Sequence, residues 1–146
     1  MPAIGNLICL TPRDSYVVDG PVTRRGLLGR LEGRIGPFVR SPGIGYPYLV
    51  GFFRKNGVLD PDTRVVVQHD KIEGATPFEE IATDKVDLAL GDHDVLFLTA
   101  YTNSVREAYR RAREAKAVWA AAGKPLTVVL GGPHASALPE EGTRNG

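Results

Sequence analysis

The sequence has a single cysteine, no long apolar run and almost no net charge, and each shortage excludes a class of protein. Cys9 is the one thiol among 146 residues, so this chain can form no internal disulfide and cannot by itself hold a cluster that needs three or four thiolates. No apolar stretch approaches the roughly 20 residues that span a bilayer, and the N-terminus lacks the pattern of a secretory signal. With 18 basic and 17 acidic residues, the chain has no global attraction for nucleic acid or anionic membranes. We therefore expect a cytoplasmic protein with small-molecule or protein partners.

What the sequence does contain is a set of short apolar runs rich in β-branched residues. Near-continuous apolar runs of this length are typical of strands that are covered on both faces of a sheet. The predicted strands are Asn6–Thr11, Val65–Val67, Val95–Leu98 and Leu126–Leu130.

Helical patterns separate these runs, and the strongest of them covers Ser104–Ala122. Its apolar residues recur at helical spacing, and its charged residues, Arg111 among them, fall on the other faces. Ser104 and Glu107 form a capping-box pattern at its start, and Gly123 ends it. Two shorter helices are predicted, one over Pro47–Lys55 and one from Thr76 to about Leu88.

The alternation of strands and helices predicts one α/β domain over residues 1–146. We expect an open, doubly wound parallel sheet of four to five strands, Rossmann-like or flavodoxin-like, with helices on both faces. Asp19–Gly45 is a long Gly-, Pro- and Arg-rich connection, and loops of that length are usually functional or disordered. A five-stranded fold would need another strand where the tail Gly142–Gly146 stands, so that edge of the sheet is missing or supplied by something else.

In such a sheet, ligands bind beyond the carboxyl ends of the strands, at the point where the strand order reverses. The glycine pair after the last strand would let a bulky ligand approach the backbone, and hydroxyls around a helix N-terminus suit a phosphate. The alternative is that the glycines form only a tight turn and the hydroxyls only cap the helix. The candidate site residues are Thr11, Pro12, Thr99, Tyr101, Thr102, Ser104, Gly131, Gly132, Pro133 and His134.

The remaining histidines give weaker signals. Asp92, His93 and Asp94 precede the third strand, which places them at the opposite rim of the sheet, so we interpret them as surface polar residues. His69 ends the second strand and receives no role. His134 lies nearer the site, where it can hydrogen-bond to the start of the next helix.

Three segments carry a resemblance to a known family, and together they span most of the chain. The segment Gly131–Glu141, which reads GGPHASALPEE, closely resembles the end of the cobalamin-binding domain in cobalamin-dependent radical S-adenosylmethionine enzymes. Pro42–Arg54 resembles that family's proline-glycine start of the first helix, and Asp94–Thr102 resembles its third strand and hydroxyl-rich loop.

The resemblance implies a cobalamin held against the strand ends, with its nucleotide tail lined by Thr99, Thr102, Gly131 and Gly132. No histidine occurs in the first loop, where methionine-synthase-type domains carry their axial ligand, so base-off binding without a protein histidine is expected. The iron–sulfur cluster and S-adenosylmethionine would belong to a partner or a missing domain. The chain would then be a metal-cofactor carrier for a methyltransferase, with no catalytic or metal-ligating residue of its own.

Other doubly wound proteins match the sequence less well. A receiver domain would need an aspartate at the end of the third strand, where Thr99 stands, and a flavodoxin would need a phosphate loop where Pro12 removes an N–H donor. The Gly-x-Gly-x-x-Gly pattern of dinucleotide binders does not follow the first strand. A non-catalytic interaction or sensor module that binds no corrinoid stays open as the alternative.

Overall fold

The computed structural model describes residues 2–12, 45–70 and 74–145. The long connection predicted over Asp19–Gly45 lies outside these residues, except that Gly45 begins the first helix. The elements in chain order are β1 (Ile4–Thr11), α1 (Gly45–Lys55), β2 (Arg64–His69), α2 (Phe78–Glu80) with a π-helical turn over Ile81–Lys85, β3 (His93–Thr99), α3 (Val105–Ala121), β4 (Leu126–Gly131), α4 (Pro133–Ala137) and α5 (Pro139–Arg144).

The four strands form one parallel sheet in the order β2-β1-β3-β4. Ile8 in β1 lies opposite Val66 in β2 and Leu96 in β3, and Leu96 lies opposite Val128 in β4. Each apolar run that the sequence predicts to be a strand forms a strand, and each strand is one to three residues longer than predicted. The predicted α/β class with a parallel sheet is therefore confirmed.

Two apolar clusters cover the two faces of the sheet. On one face, Ile8, Leu96 and Leu98 pack with Phe78 and Trp119 from the helices. On the other face, α1 supplies only partly buried residues against strand residues such as Leu7, Cys9 and Val95. None of the residues of α1 is fully buried, so within the described part of the chain the second face of the sheet has the thinner cover.

The helix predicted from Thr76 to about Leu88 is shorter than expected. It is regular only over Phe78–Glu80 and then widens into the π-helical turn, which closes with a hydrogen bond from the Val86 N–H to the Ile81 carbonyl at 3.1 Å. The wider turn lets Ile81, Ala82 and Val86 all reach the core. Burial of these residues therefore overrides the regular helical period.

The long helix α3 begins and ends close to the predicted residues, but the predicted capping box does not form. The Ser104 side chain makes no capping hydrogen bond to the helix; its Oγ accepts the Tyr101 N–H at 3.2 Å instead. Glu107 pairs with Arg110 at 2.7 Å. At the other end, Gly123 adopts a φ of 69°, which ends the helix as predicted.

The interpretation of Asp92, His93 and Asp94 as surface residues is wrong for Asp94. Its side chain is completely buried, because it lies inside β3, a strand covered on both faces. The carboxylate accepts hydrogen bonds from the Asn6 backbone N–H and side-chain amide, both at 2.8 Å, and from the Trp119 indole at 2.7 Å. The Lys124 ammonium lies 3.0 Å away. Asp94 therefore ties β1, β3 and the end of α3 together.

Candidate functional site

The carboxyl ends of the strands form one edge of the sheet, and the strand order reverses there between β1 and β3. The structure brings the predicted loops after β3 and β4 into direct contact at this edge. The Ala100 N–H donates to the Gly131 carbonyl at 2.7 Å, and the His134 N–H donates to the Ala100 carbonyl at 3.2 Å. The two loops are thus a single unit, held by backbone bonds.

The glycine pair does not act as one feature, because its two members have different surroundings. Among the residues that the structure describes, a Cβ placed on Gly131 would meet no heavy atom within 4 Å apart from its own chain neighbours. A Cβ on Gly132 would lie 2.8 Å from the Ala100 carbonyl oxygen, and Gly132 also has a φ of 98°. Gly132 is therefore required by the fold itself, and only Gly131 leaves open space for another molecule.

The hydroxyl of Thr99 is engaged by a residue for which sequence reasoning predicted no role. Tyr46, in the first turn of α1, donates its phenol hydrogen to the Leu10 carbonyl at 2.6 Å, and its oxygen lies 2.5 Å from Thr99 Oγ1. Burial raises the pKa of the Tyr46 phenol, with hydrogen bonding from Thr99 opposing the rise. Tyr46 therefore bridges the ends of β1 and β3 as a neutral phenol, at the point where the strand order reverses.

The other residues of the predicted hydroxyl-rich loop divide into internal and exposed ones. Ser104 is buried. Its Oγ accepts the Tyr101 N–H and donates to the Tyr101 carbonyl, and these bonds close the turn before α3. Thr102 is exposed, and the Tyr101 side chain is 48% exposed. At the end of β1, Thr11 is partly buried and Pro12 is buried. Among the predicted site residues, the surface that another molecule could reach is thus formed by the exposed Tyr101, Thr102 and Pro133 and the partly exposed Gly131.

His134 is nearly buried, and both of its ring nitrogens face protein groups. Nε2 lies 3.2 Å from a Glu141 carboxylate oxygen in α5, and Nδ1 lies 3.4 Å from the Thr102 hydroxyl. Glu141 also faces Tyr109, whose phenol pKa is raised by burial and by that carboxylate. His134 thus connects the β3 loop to α5. His134 lies in α4, and its predicted hydrogen bond to the next helix is made to Glu141 of α5.

A buried ion pair beyond β2 is a second feature that sequence reasoning missed. Asp70, directly after β2, lies 3.1 Å from the Arg111 guanidinium of α3, and both side chains are almost fully buried. Arg111 also contacts Glu114 at 2.9 Å, donates to the Thr76 carbonyl at 2.7 Å and lies 4.3 Å from the Phe78 ring centroid. The prediction that Arg111 lies on an outer face of α3 is therefore wrong.

The helical spacing itself contained a signal for the burial of Arg111. Arg111 follows Ala108 by three residues and precedes Ala115 by four, so it falls on the stripe that the buried alanines define. A charge on an apolar stripe indicates a buried partner. The sequence offered Asp70 at the end of a strand, but nothing showed that β2 ends beside α3.

The described residues contain no group of three or more His, Cys, Asp or Glu side chains that could hold a metal ion. In the same part of the chain, no helix is both long and apolar enough to cross a membrane. The one cysteine, Cys9, is buried in β1, and burial raises the pKa of its thiol to about 12. Its sulfur is therefore a protonated part of the core.

The fold and the carboxyl-edge site together define the class as an α/β protein with a flavodoxin-like or Rossmann-like parallel sheet. No protein-family model, curated protein or solved structure matches the chain.

Proposed function

We propose that this chain is a cobalamin-binding domain or subunit that serves a radical S-adenosylmethionine enzyme in methyl transfer. The observation that carries the proposal is the open backbone at Gly131, beside the exposed Tyr101 and Thr102, at the carboxyl edge of a parallel sheet. Open sheets of this class place their ligands at that edge. The resemblance of Gly131–Glu141 to the cobalamin family adds the identity of the ligand.

The residues of this surface would each make a different contact with the ligand. Gly131 admits a bulky group to the tip of β4, the Thr102 hydroxyl offers a hydrogen bond, and the Tyr101 ring offers a face for packing. In the proposal, a corrinoid would lie against these residues. When bound, cobalamin would supply a carrier for the methyl group. The chain's own contribution is to position that carrier and to keep water from it.

Two residues bear on how deep such a ligand reaches and on its axial ligation. Tyr46 already bridges the strand ends beside Thr99, so a nucleotide tail lined by Thr99 requires the Tyr46 side chain to move. His134 already faces Glu141 and Thr102 through its two nitrogens. These contacts argue against His134 as an axial ligand, and the resemblance implies the base-off form. The iron–sulfur cluster and S-adenosylmethionine belong to a partner or another domain, because Cys9 is a buried core thiol.

Uptake of hydroxocobalamin tests the proposal directly. The purified chain is mixed with hydroxocobalamin and desalted, and the visible spectrum of the protein fraction is recorded. We expect retained corrin absorbance with the band position of the base-off form. Complete loss of the corrin bands on desalting contradicts the proposal.

A matched pair of glycine variants locates the binding. Gly131→Leu adds a side chain into open space at the site, and Gly51→Leu adds the same side chain into open space on α1. We expect Gly131→Leu to weaken corrinoid affinity by about tenfold or more, equivalent to about 1.4 kcal/mol, while Gly51→Leu binds like the parent chain. Equal binding by both variants would place the ligand elsewhere.

The alternative function is a non-catalytic interaction or sensor module. It is favoured by the internal roles of Gly132, Thr99, Ser104 and His134, all of which make bonds or close contacts within the fold itself. If those residues serve only the fold, the carboxyl edge has no ligand-specific feature. Failure to retain hydroxocobalamin by a chain that is shown to be folded would favour this alternative.

A further inference from the structure

Three side chains at the carboxyl edge of the sheet, Thr102, His134 and Glu141, form one connected row. His134 Nδ1 lies 3.4 Å from the Thr102 hydroxyl, and Nε2 lies 3.2 Å from a Glu141 carboxylate oxygen. The His134 side chain is only 9% exposed, whereas Thr102 is exposed among the described residues. A surface hydroxyl, an imidazole behind it and a carboxylate behind the imidazole are the order of a nucleophile, its general base and the group that orients the base.

The carboxylate decides which nitrogen of His134 carries the hydrogen. An ionised carboxylate only accepts hydrogen bonds, so Nε2 is the donor to Glu141. In the neutral imidazole, Nδ1 then has a lone pair, and this lone pair faces the Thr102 hydroxyl. Contacts between nucleophile and base are often long before substrate binds. His134 is therefore held in the tautomer that can accept the Thr102 proton.

The start of α3 supplies hydrogen-bond donors beside the same loop. The first bond of this helix runs from the Ala108 N–H to the Ser104 carbonyl at 2.9 Å, and the Ser104 side chain does not cap the helix. The N–H groups of Val105 and Arg106 therefore have no partner within the helix. They follow Thr102 by three and four residues. Donors of this kind, at the positive end of a helix dipole, stabilise the negative oxygen that forms when a hydroxyl attacks a carbonyl.

A mostly apolar groove adjoins this row of side chains among the described residues. It has a volume of about 580 Å³, and its walls include Tyr109, Ala112, Lys116, Val128, Leu130 and Ala135. Ala135 directly follows His134, and Tyr109 faces Glu141, so the groove begins next to the base and its carboxylate. Walls of this composition favour an apolar group of a substrate.

We propose that Thr102, His134 and Glu141 form a catalytic triad that hydrolyses carboxylic esters with an apolar acyl group. Thr102 is the nucleophile and His134 is the general base, while Glu141 is a positioning residue that acts through His134. This activity goes beyond corrinoid binding and requires no corrinoid.

The reaction is an acyl transfer in two balanced halves. Thr102 Oγ1 attacks the ester carbonyl carbon while its proton passes to His134 Nδ1, and the bond from that carbon to the alcohol oxygen then breaks as His134 returns the proton to the leaving alcohol. Water next attacks the acyl-threonine ester and gives a proton to His134. The bond to Thr102 Oγ1 then breaks, Thr102 takes that proton, and the carboxylic acid leaves.

Hydrolysis of p-nitrophenyl butyrate by the purified chain, without any corrinoid, tests the proposal. We expect saturable release of p-nitrophenol above the rate in buffer. Thr102→Val removes the nucleophile and should lower kcat/KM at least about a hundredfold, whereas Thr102→Ser keeps a hydroxyl and should retain activity. The matched control is Thr127→Val, at an exposed threonine of β4, which should hydrolyse the ester like the parent chain.

A second pair of variants tests the role of the carboxylate. Glu141→Gln should lower kcat with little change in KM, because the amide no longer fixes the imidazole tautomer. Glu140→Gln, at the neighbouring exposed position that pairs with Arg144, should have no effect. No release above the buffer rate by a chain shown to be folded, or equal kcat/KM for Thr102→Val and Thr127→Val, overturns the proposal. Because the assay contains no corrinoid, its outcome is independent of hydroxocobalamin uptake.

Discussion

Asp94 shows at the scale of one residue how burial changes the meaning of a charged side chain. Its carboxylate accepts from Asn6 and Trp119 and faces Lys124 within β3, with no exposure to solvent. A buried carboxylate is tolerated only when such donors replace its water. Asp94 therefore organises the amino-terminal rim of the sheet.

Replacing Asp94 by asparagine should destabilise the fold strongly. The amide places N–H groups opposite donors and leaves the Lys124 ammonium without its counter-charge, which we expect to cost about 3–5 kcal/mol in the free energy of unfolding. Urea titration followed by circular dichroism measures this cost. Asp92→Asn, two residues earlier at an exposed bond to the Ala3 N–H, should cost no more than about 1 kcal/mol. Similar losses in the two variants would contradict the assignment.

The sequence could not distinguish these two aspartates. Both stand beside His93, directly before the apolar run, and a polar triplet at a strand start is usually solvated. What decides the matter is that β3 begins at His93, so that Asp94 already lies between two covered faces. In the same way, the sequence predicted that Gly131 and Gly132 matter, but only the backbone geometry shows which of them has open space.

At the scale of elements, the contact of β2 with α3 depends on the Asp70–Arg111 pair and its surroundings. Gln68 lies in the same network: its amide donates toward Asp70 at 3.4 Å and its oxygen accepts from Lys85 at 2.6 Å. Glu114 completes it by accepting the Phe78 N–H at 3.0 Å. This polar network joins the end of β2 to the start of α2 and to α3.

The pH dependence of stability should show the burial of Asp70. Burial raises its pKa from 3.8 to about 6, against the opposing attraction of Arg111. Between these values the folded chain binds a proton that the unfolded chain does not, so this group's contribution to stability is present below about pH 4 and is lost as the pH rises through about 6. Unfolding of the parent chain and of Asp70→Asn by urea, at several pH values, measures the difference.

We expect the stability of the parent chain relative to Asp70→Asn to fall from pH 4 to pH 6. Asp62→Asn, at an exposed turn, is the matched control for removal of a carboxylate. A relative stability that rises with pH over this window would mean that the attraction of Arg111 outweighs burial.

For the whole molecule, the fold class could be predicted because four apolar runs alternate with helical patterns. Parallel strands and covering helices are what such an alternation permits. The order β2-β1-β3-β4 is not contained in that pattern, since it depends on which strand edges meet. The strand order places the reversal point beside Tyr46, and because the sequence does not contain that order, it gave no signal that this tyrosine bridges two strand ends.

The carboxyl edge of the sheet as the ligand edge could be predicted from the same alternation, whereas its internal bonding could not. The contact of Thr99 with Tyr46 joins residues that are 53 positions apart in the chain. Distances of this kind are set by tertiary packing, which local patterns do not encode. The surface left for a ligand is therefore smaller than the ten candidate residues suggested.

The central claim is that a corrinoid binds at the β3 and β4 loops of this edge, and amide chemical shifts of the ¹⁵N-labelled chain titrated with hydroxocobalamin test it most directly. We predict saturable shifts at Thr99–Ser104 and at Gly131–His134, with the amides around Asp92 at the opposite rim unchanged. Shifts confined to the opposite rim, or no saturable shifts at all, would contradict the claim.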